Sequence, residues 1–419
     1  MALAITDPFN RLPPELRLRV LISSHYKLST SRIIEASPIM LQQYLAHKKY
    51  IVRQVLAAEL DAQMIQDAMA ITLFRRSQPT RAHFRAWSKS NLPNPLKEID
   101  DHLVGELDKL YRQILLLVED YITKATASMA PQAYLCLPQV RQPSIEGHIM
   151  FKGSKVAPRF DSDKLTFSER KRVFKAFLTY ELLRKAGYSI RIPRKLRKRK
   201  VSNAEYEAVG CVHSYVCSLY GAMLAQCNDA DLSTASAAPP LGTDTFSPIP
   251  DAVYFAANPC TPNIRLFTDS HGHDIGASFS TLGLDRLTDF LRYDMAKPEE
   301  RKALYKQLKH VWEFEEPSGS DAWDKSSRPL LKSKPKYKNG DESSMYKQLS
   351  LHPGEKLRYR VGQQRAWVFF DNDRFYPQES PERPNFPSER SLAEKSFNQA
   401  FSINDWFHSL KNARILQRG

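Results

Sequence analysis

Apolar side chains along this chain recur mostly at helical spacing. Ile99, Leu103, Leu107, Leu110, Ile114, Leu117 and Tyr121 step by three or four residues, which sets them on one face of a helix. Asn94-Pro95 supplies a cap and a first-turn proline, so the spacing predicts one amphipathic helix running from there towards Met129. A second helical run is expected from about Lys49 to Phe74, burying Ile51, Val55, Leu56, Met64 and Ile65. Two capping boxes follow: Thr166-x-x-Glu169 opens a helix closing near Gly187, and Ser202-x-x-Glu205 opens one reaching about Cys227. In the latter, Tyr206, Val209, His213, Val216, Tyr220 and Met223 form the apolar stripe. Further helices are expected over Leu284 to Tyr293, from Pro298 to Val311, and around Ile403 to Leu410. Strand-like stretches are few: Val253-Tyr254-Phe255, Ile264 to Phe267, and the aromatic run Trp367-Val368-Phe369-Phe370, after which Asp371-Asn372-Asp373 turns the chain. Pro131 to Pro158 reads as an irregular connection. The pattern predicts a mainly α protein with a few short β-strands.

The N-terminal stretch has its own logic. Pro13 and Pro14 fit a first helical turn, where their missing N–H groups leave no bond unmade, and Glu15 suits the positive end of the helix dipole. Leu16, Val20 and Leu21 then share a face, with Phe9 and Leu12 folding back from before the helix. Ser37 can cap a third short helix with Pro38 at its first position. On spacing alone, these apolar residues serve equally well as packing against the helices at 49–74 and 95–128. Phe9, Leu12-Pro13-x-Glu15-Leu16 and Val20-Leu21, followed more loosely by Leu28, Ile33, Ile34, Ala36-Ser37 and Leu41, resemble an F-box. That motif recruits substrate receptors to cullin–RING ubiquitin ligases. The whole chain is also similar to a family of large fungal F-box-like proteins. The resemblance implies a three-helix F-box-like segment in which Phe9, Leu12, Pro13, Leu16, Val20 and Leu21 face a Skp-type linker subunit. The rest of the chain would bind an unknown protein substrate. No internal repeat of solenoid or propeller period is present to mark that substrate-binding part.

Composition and punctuation divide the chain further. The expected order is the F-box-like segment at 7–50, a helical extension at 51–130, and an irregular helical core region at 159–312 containing a basic connector at 191–200. A mobile insertion at 318–353, poor in large apolar residues, and an aromatic strand with a C-terminal helix at 359–412 complete it. A hydrophobic content of 42 % allows a sizeable core. No apolar run approaches the roughly 18 residues of a membrane helix, and no signal peptide opens the chain, so no membrane partner is expected. Five scattered cysteines suit a reducing compartment, the nucleus or the cytoplasm.

The net charge of +15 is concentrated: between Arg141 and Gln226 there are 18 Lys/Arg against 7 Asp/Glu. Its densest part is Arg191, Arg194, Lys195, Arg197, Lys198, Arg199 and Lys200, seven cations in ten residues. Such a run must lie in water and suits an importin or a nucleic acid, or serves only as a solubilising loop.

Catalytic chemistry finds no carrier. Cys211, His213, Cys217 and Cys227 are zinc-ligand types, but only His213 and Cys217 stand one helical turn apart, and a core histidine is the plainer reading. His271-Gly272-His273-Asp274 is too short to distinguish a metal site from a polar turn. Gly276 to Ser280 lacks the second glycine of a nucleophile elbow, and no phosphate-binding glycine loop occurs. Asp100-Asp101 and Glu315-Glu316 are adjacent pairs, which diverge on a helix. The expectation is a non-enzymatic adaptor with no cofactor and no metal.

Overall fold

The computed structural model describes residues 7–24, 28–76, 81–98, 100–127, 130–140, 147–151, 154–187, 199–227, 275–314, 331–333, 341–349, 351 and 356–376. The fold is mainly α, with two small two-stranded sheets among the described residues. These residues fall in two compact units, one ending at Leu115 and the other beginning at Leu116.

The first unit contains α1 (Pro14–Ser24), α2 (Leu28–Ala36), α3 (Pro38–Glu59), α4 (Ala62–Arg76), α5 (Arg81–Ser88), the single turn α6 (Pro95–Glu98) and the first part of α7 (Asp101–Thr126). Asp7 ties its beginning together. Its carboxylate accepts from the Phe9 N–H at 3.0 Å and from Ser37 Oγ at 2.6 Å, while Ser37 Oγ accepts from the Met40 N–H at 3.2 Å. The Ser37 hydrogen bond holds the Asp7 carboxyl below its usual range. Leu21, Met40, Ile51 and Val55 form the local core, with Phe9, Leu18, Val20, Ile22, Ile33, Ile34, Ile39 and Tyr44 packed around it.

The third helix of this segment is not short. Nothing between Leu41 and Tyr50 breaks the helix, so α3 continues to Glu59. The interruption falls at Leu60 and Asp61, where Asp61 Oδ1 accepts from the Met64 N–H at 2.8 Å and starts α4. One helix expected over Lys49 to Phe74 is therefore two. The run from Pro95 is likewise split. Asn94 Oδ1 caps α6 through the Leu96 N–H, and Asp100 Oδ1 then accepts from the His102 and Leu103 N–H groups, both at 3.0 Å, to start α7 afresh. Asp101 pairs with Lys49 at 2.8 Å and Arg53 at 2.9 Å. Gln66 joins the loop after α5 by two 2.9 Å bonds to the Leu92 backbone, and Trp87 Nε1 donates to Asp67 at 2.9 Å.

The second unit is built around α10 (Asn203–Cys227), with α9 (Phe167–Gly187), α11 (Ile275–Ser280), α12 (Gly283–Phe290), α13 (Pro298–Phe314) and α15 (Lys356–Gln364). Both capping boxes form: Thr166 and Glu169 exchange bonds of 2.9 and 3.2 Å, and Ser202 and Glu205 exchange bonds of 2.8 and 3.1 Å. α10 carries no simple stripe, because almost every residue from Ala208 to Ala225 is buried. It is also long and apolar enough to cross a membrane, a length of apolar helix that the sequence reading did not anticipate. Within this fold 83 % of its apolar window is packed inside the protein. Tyr121, Phe177, Tyr215 and Phe369 form one ring cluster, and Tyr220 contacts Phe279 and Phe290 in another.

Several expectations here need correction. Pro131 to Pro158 contains α8 (Ala130–Leu135) and an antiparallel hairpin of β1 (His148–Phe151) and β2 (Ser154–Pro158). The interval 318–353 is built into the unit where it is described. β4 (Leu331–Ser333) pairs in parallel with β3 (Arg199–Val201), and α14 (Ser344–Leu349) buries Met345 and Leu349. The aromatic run is not a strand. Ala366, at φ 56°, ends α15 in a left-handed turn whose 6→1 bond joins the Trp367 N–H to Gly362 O at 3.2 Å. Side chains meet the carbonyls of the last turn of α15 and of Phe369, while Phe370 O accepts from the Met345 N–H at 3.4 Å. Gln363 O accepts from Tyr121 Oη at 2.6 Å, Gln364 O from Tyr134 Oη at 2.7 Å, and Phe369 O from the Arg172 guanidinium at 3.0 and 3.1 Å. The stretches Val253 to Phe255, Ile264 to Phe267 and Ile403 to Leu410 lie outside the described residues.

Candidate docking surface

The six residues singled out near the N-terminus divide by role. Leu21 is fully buried and belongs to the core, so it cannot also meet a partner. Phe9 and Val20 are half-buried and lean on that core, and Leu12 is half-buried. Pro13 is exposed, and Leu16 keeps 44 % of its surface in water. Leu16 and Val20 stand four apart on α1, so an apolar flank continues outward from the packed one. Burying a leucine fully is worth about 1.5–3 kcal/mol. Covering the bare part of Leu16 can therefore contribute to association without disturbing the fold.

Sequence reasoning overlooked Leu45, 65 % exposed on α3, and took Leu41, 40 % exposed, only as part of the motif. The signal was their i, i+4 spacing, which a helix assumed to end early conceals.

Arg191, Arg194, Lys195, Arg197 and Lys198 lie outside the described residues. The backbones of Arg199 and Lys200 belong to β3, opposite Leu331 and Lys332 of β4. His271 and His273 also lie outside the described residues.

The polar chemistry of the second unit is inward. His213 Nδ1 lies 3.1 Å from Ser280 Oγ, and its ring nitrogens lie 3.6 and 3.7 Å from Cys217 Sγ. Burial, helped by the Arg184 charge, pushes the His213 pKa well down, so the imidazole is neutral. Ser280 Oγ donates to Ala277 O at 2.6 Å and is wholly buried, an arrangement that anchors α11 and exposes no nucleophile. Cys227 Sγ points elsewhere, 3.7 Å from Arg301 O. No three His, Cys, Asp or Glu residues converge as a metal site among the described residues. Burial also pushes the Cys136 and Cys227 thiols up to about 12, which keeps them protonated.

No family model, curated protein or solved structure matches this chain.

Proposed function

We propose that this protein is a non-enzymatic adaptor of the nucleus or cytoplasm, whose N-terminal unit docks a Skp-type linker subunit of a cullin–RING ubiquitin ligase. The rest of the chain would hold a protein substrate. The observation that carries the reading is the division of labour on α1. Leu21 holds the three helices together from inside, while Pro13 and Leu16, at positions matching the F-box-like motif, remain in water. Leu16 stands one turn from the half-buried Val20, so a partner covering it would extend an apolar flank that the fold already holds in place. The test is direct: purified full-length chain is mixed with recombinant linker subunit and followed by co-precipitation and calorimetry. Saturable one-to-one binding supports the adaptor, and no binding at micromolar concentrations overturns it.

A further inference from the structure

On α3, at about 100° per residue, Leu41, Leu45, Lys48, Val52 and Leu56 fall in one stripe about 80° wide. The C-terminal half of that stripe is covered by the protein itself: Val52 is 5 % exposed and Leu56 is fully buried. The N-terminal half is bare, with Leu41, Leu45 and Lys48 all exposed. Gln43 Nε2 donates to Pro14 O at 3.5 Å, so the α3 flank nearest the start of α1 is the one opposite this stripe. The bare half-stripe is thus a surface separate from Pro13 and Leu16, and does not depend on linker docking there.

Its charge says what can cover it. From Pro38 to Ala58 α3 contains no Asp or Glu, while Lys48, Lys49 and Arg53 are cations. Asp101 engages Lys49 and Arg53, and Lys48 stands beside the two leucines. A second copy of the chain, placed by a twofold axis, would bring its own Lys48 to the same seam, with no acid on either α3 stripe to meet it. A negatively charged apolar face is complementary instead. We propose that Leu41, Leu45 and Lys48 dock an acidic amphipathic helix of a partner protein, its apolar ridge on the leucines and its carboxylates beside Lys48.

A synthetic helix of about 15 residues serves as probe, with leucines at i, i+4 and i+7 and glutamates on both flanks. A twin carries lysines in place of the glutamates. Fluorescence anisotropy with the full-length chain should show binding of the acidic helix that weakens as salt is raised. Leu45→Gln should weaken it at least tenfold, and Lys48→Glu several-fold, with unchanged unfolding midpoints because both sites are exposed. Equal binding of the twin, or insensitivity to Leu45→Gln, overturns the proposal. So does concentration-dependent dimerisation abolished by Leu45→Gln, which would make a second copy the occupant.

Discussion

Lys124 is the least ordinary side chain in the second unit, because it has no exposed surface at all. Its ammonium pairs with Asp120 at 2.5 Å and lies 5.5 and 5.9 Å from the ring centres of Tyr215 and Tyr134. Asp120 also accepts from Tyr215 Oη at 2.8 Å. Removing one member of a buried pair strands the other, at about 3–5 kcal/mol. Asp120→Ala should therefore destabilise the protein by that amount in urea unfolding. Lys124→Met, which leaves Asp120 its tyrosine donor and fills the space, should cost clearly less; equal losses would contradict the account. Glu119, on the same helix, predicts a pH effect. Burial pushes its carboxyl up to about 7, opposed by the 2.9 Å bond from Ser162 and Arg159 and reinforced by Asp161 and Asp163. A folded-state pKa above the unfolded one gives stability that is present in acid and lost as pH rises towards 7. His213 has the opposite sign, its contribution being lost as pH falls below about 6.5. Glu119→Gln should hence gain stability over the parent as pH rises from 5 to 7.5, by about 1–2 kcal/mol. A constant gap between the two curves would show that Glu119 does not titrate there. At this scale the sequence was legible where partners are local. The boxes at Thr166 and Ser202 need only residues three apart, whereas Lys124 meets Tyr134 and Tyr215 only once α7, α8 and α10 have assembled.

Elements were legible as far as their ends announced themselves. Two helix ends close in left-handed turns at Ser90 and Ala366, where a glycine would have been the visible signal. At Asn94 and Asp100, two caps six residues apart compete, and a steady apolar step hides the break between them. α10 escaped as a stripe because a helix covered on every side has no polar face to set its phase. The F-box-like segment shows the same limit from the other direction. Spacing grouped Leu16, Val20 and Leu21 on one face, but cannot tell the inner edge of a face from its outer edge. α1 therefore makes a paired prediction. Leu16→Asp should abolish linker binding and leave the thermal midpoint within a degree or two, since an exposed charge loses little hydration. Leu21→Asp should unfold the first unit by placing that charge in the core. Linker binding that survives Leu16→Asp removes α1 from the interface, and loss of folding in Leu16→Asp makes it a packing residue.

The second unit takes its form from segments far apart in the chain. Glu169 is both capping-box partner of Thr166 and acceptor for the Asp371 N–H at 2.9 Å and the Arg374 guanidinium. Burial alone would raise its carboxyl, yet these donors hold it below the usual range. Arg365 reaches the carbonyls of Ala125 and Ala127, and Tyr346 stacks on Trp367 with ring centres 5.3 Å apart. Beyond the capping box, none of this was legible. Aromatic, β-prone composition marked 367–370 as a strand, but its Phe369 carbonyl is met by the side chain of Arg172, about 200 residues away, and no local pattern encodes that partner. The dependence on this distant segment can be measured. A chain ending at Gly340 loses Trp367, Phe369 and Phe370 from the core, and it strands the hydroxyls of Tyr121 and Tyr134, each at about 1–3 kcal/mol. Those losses together reach the whole stability of a typical domain. α9 and α10 are long and open with capping boxes, so they should persist without fixed packing. Far-ultraviolet circular dichroism of the truncated chain should stay strongly helical, the near-ultraviolet aromatic signal should collapse, and the dye ANS should bind. Amides of α3 should keep their hydrogen-exchange protection, because the cluster it forms with α1 and α2 draws only on residues before Leu115. A truncated chain with a native-like near-ultraviolet spectrum would mean that residues 341–376 lie against a core already complete without them.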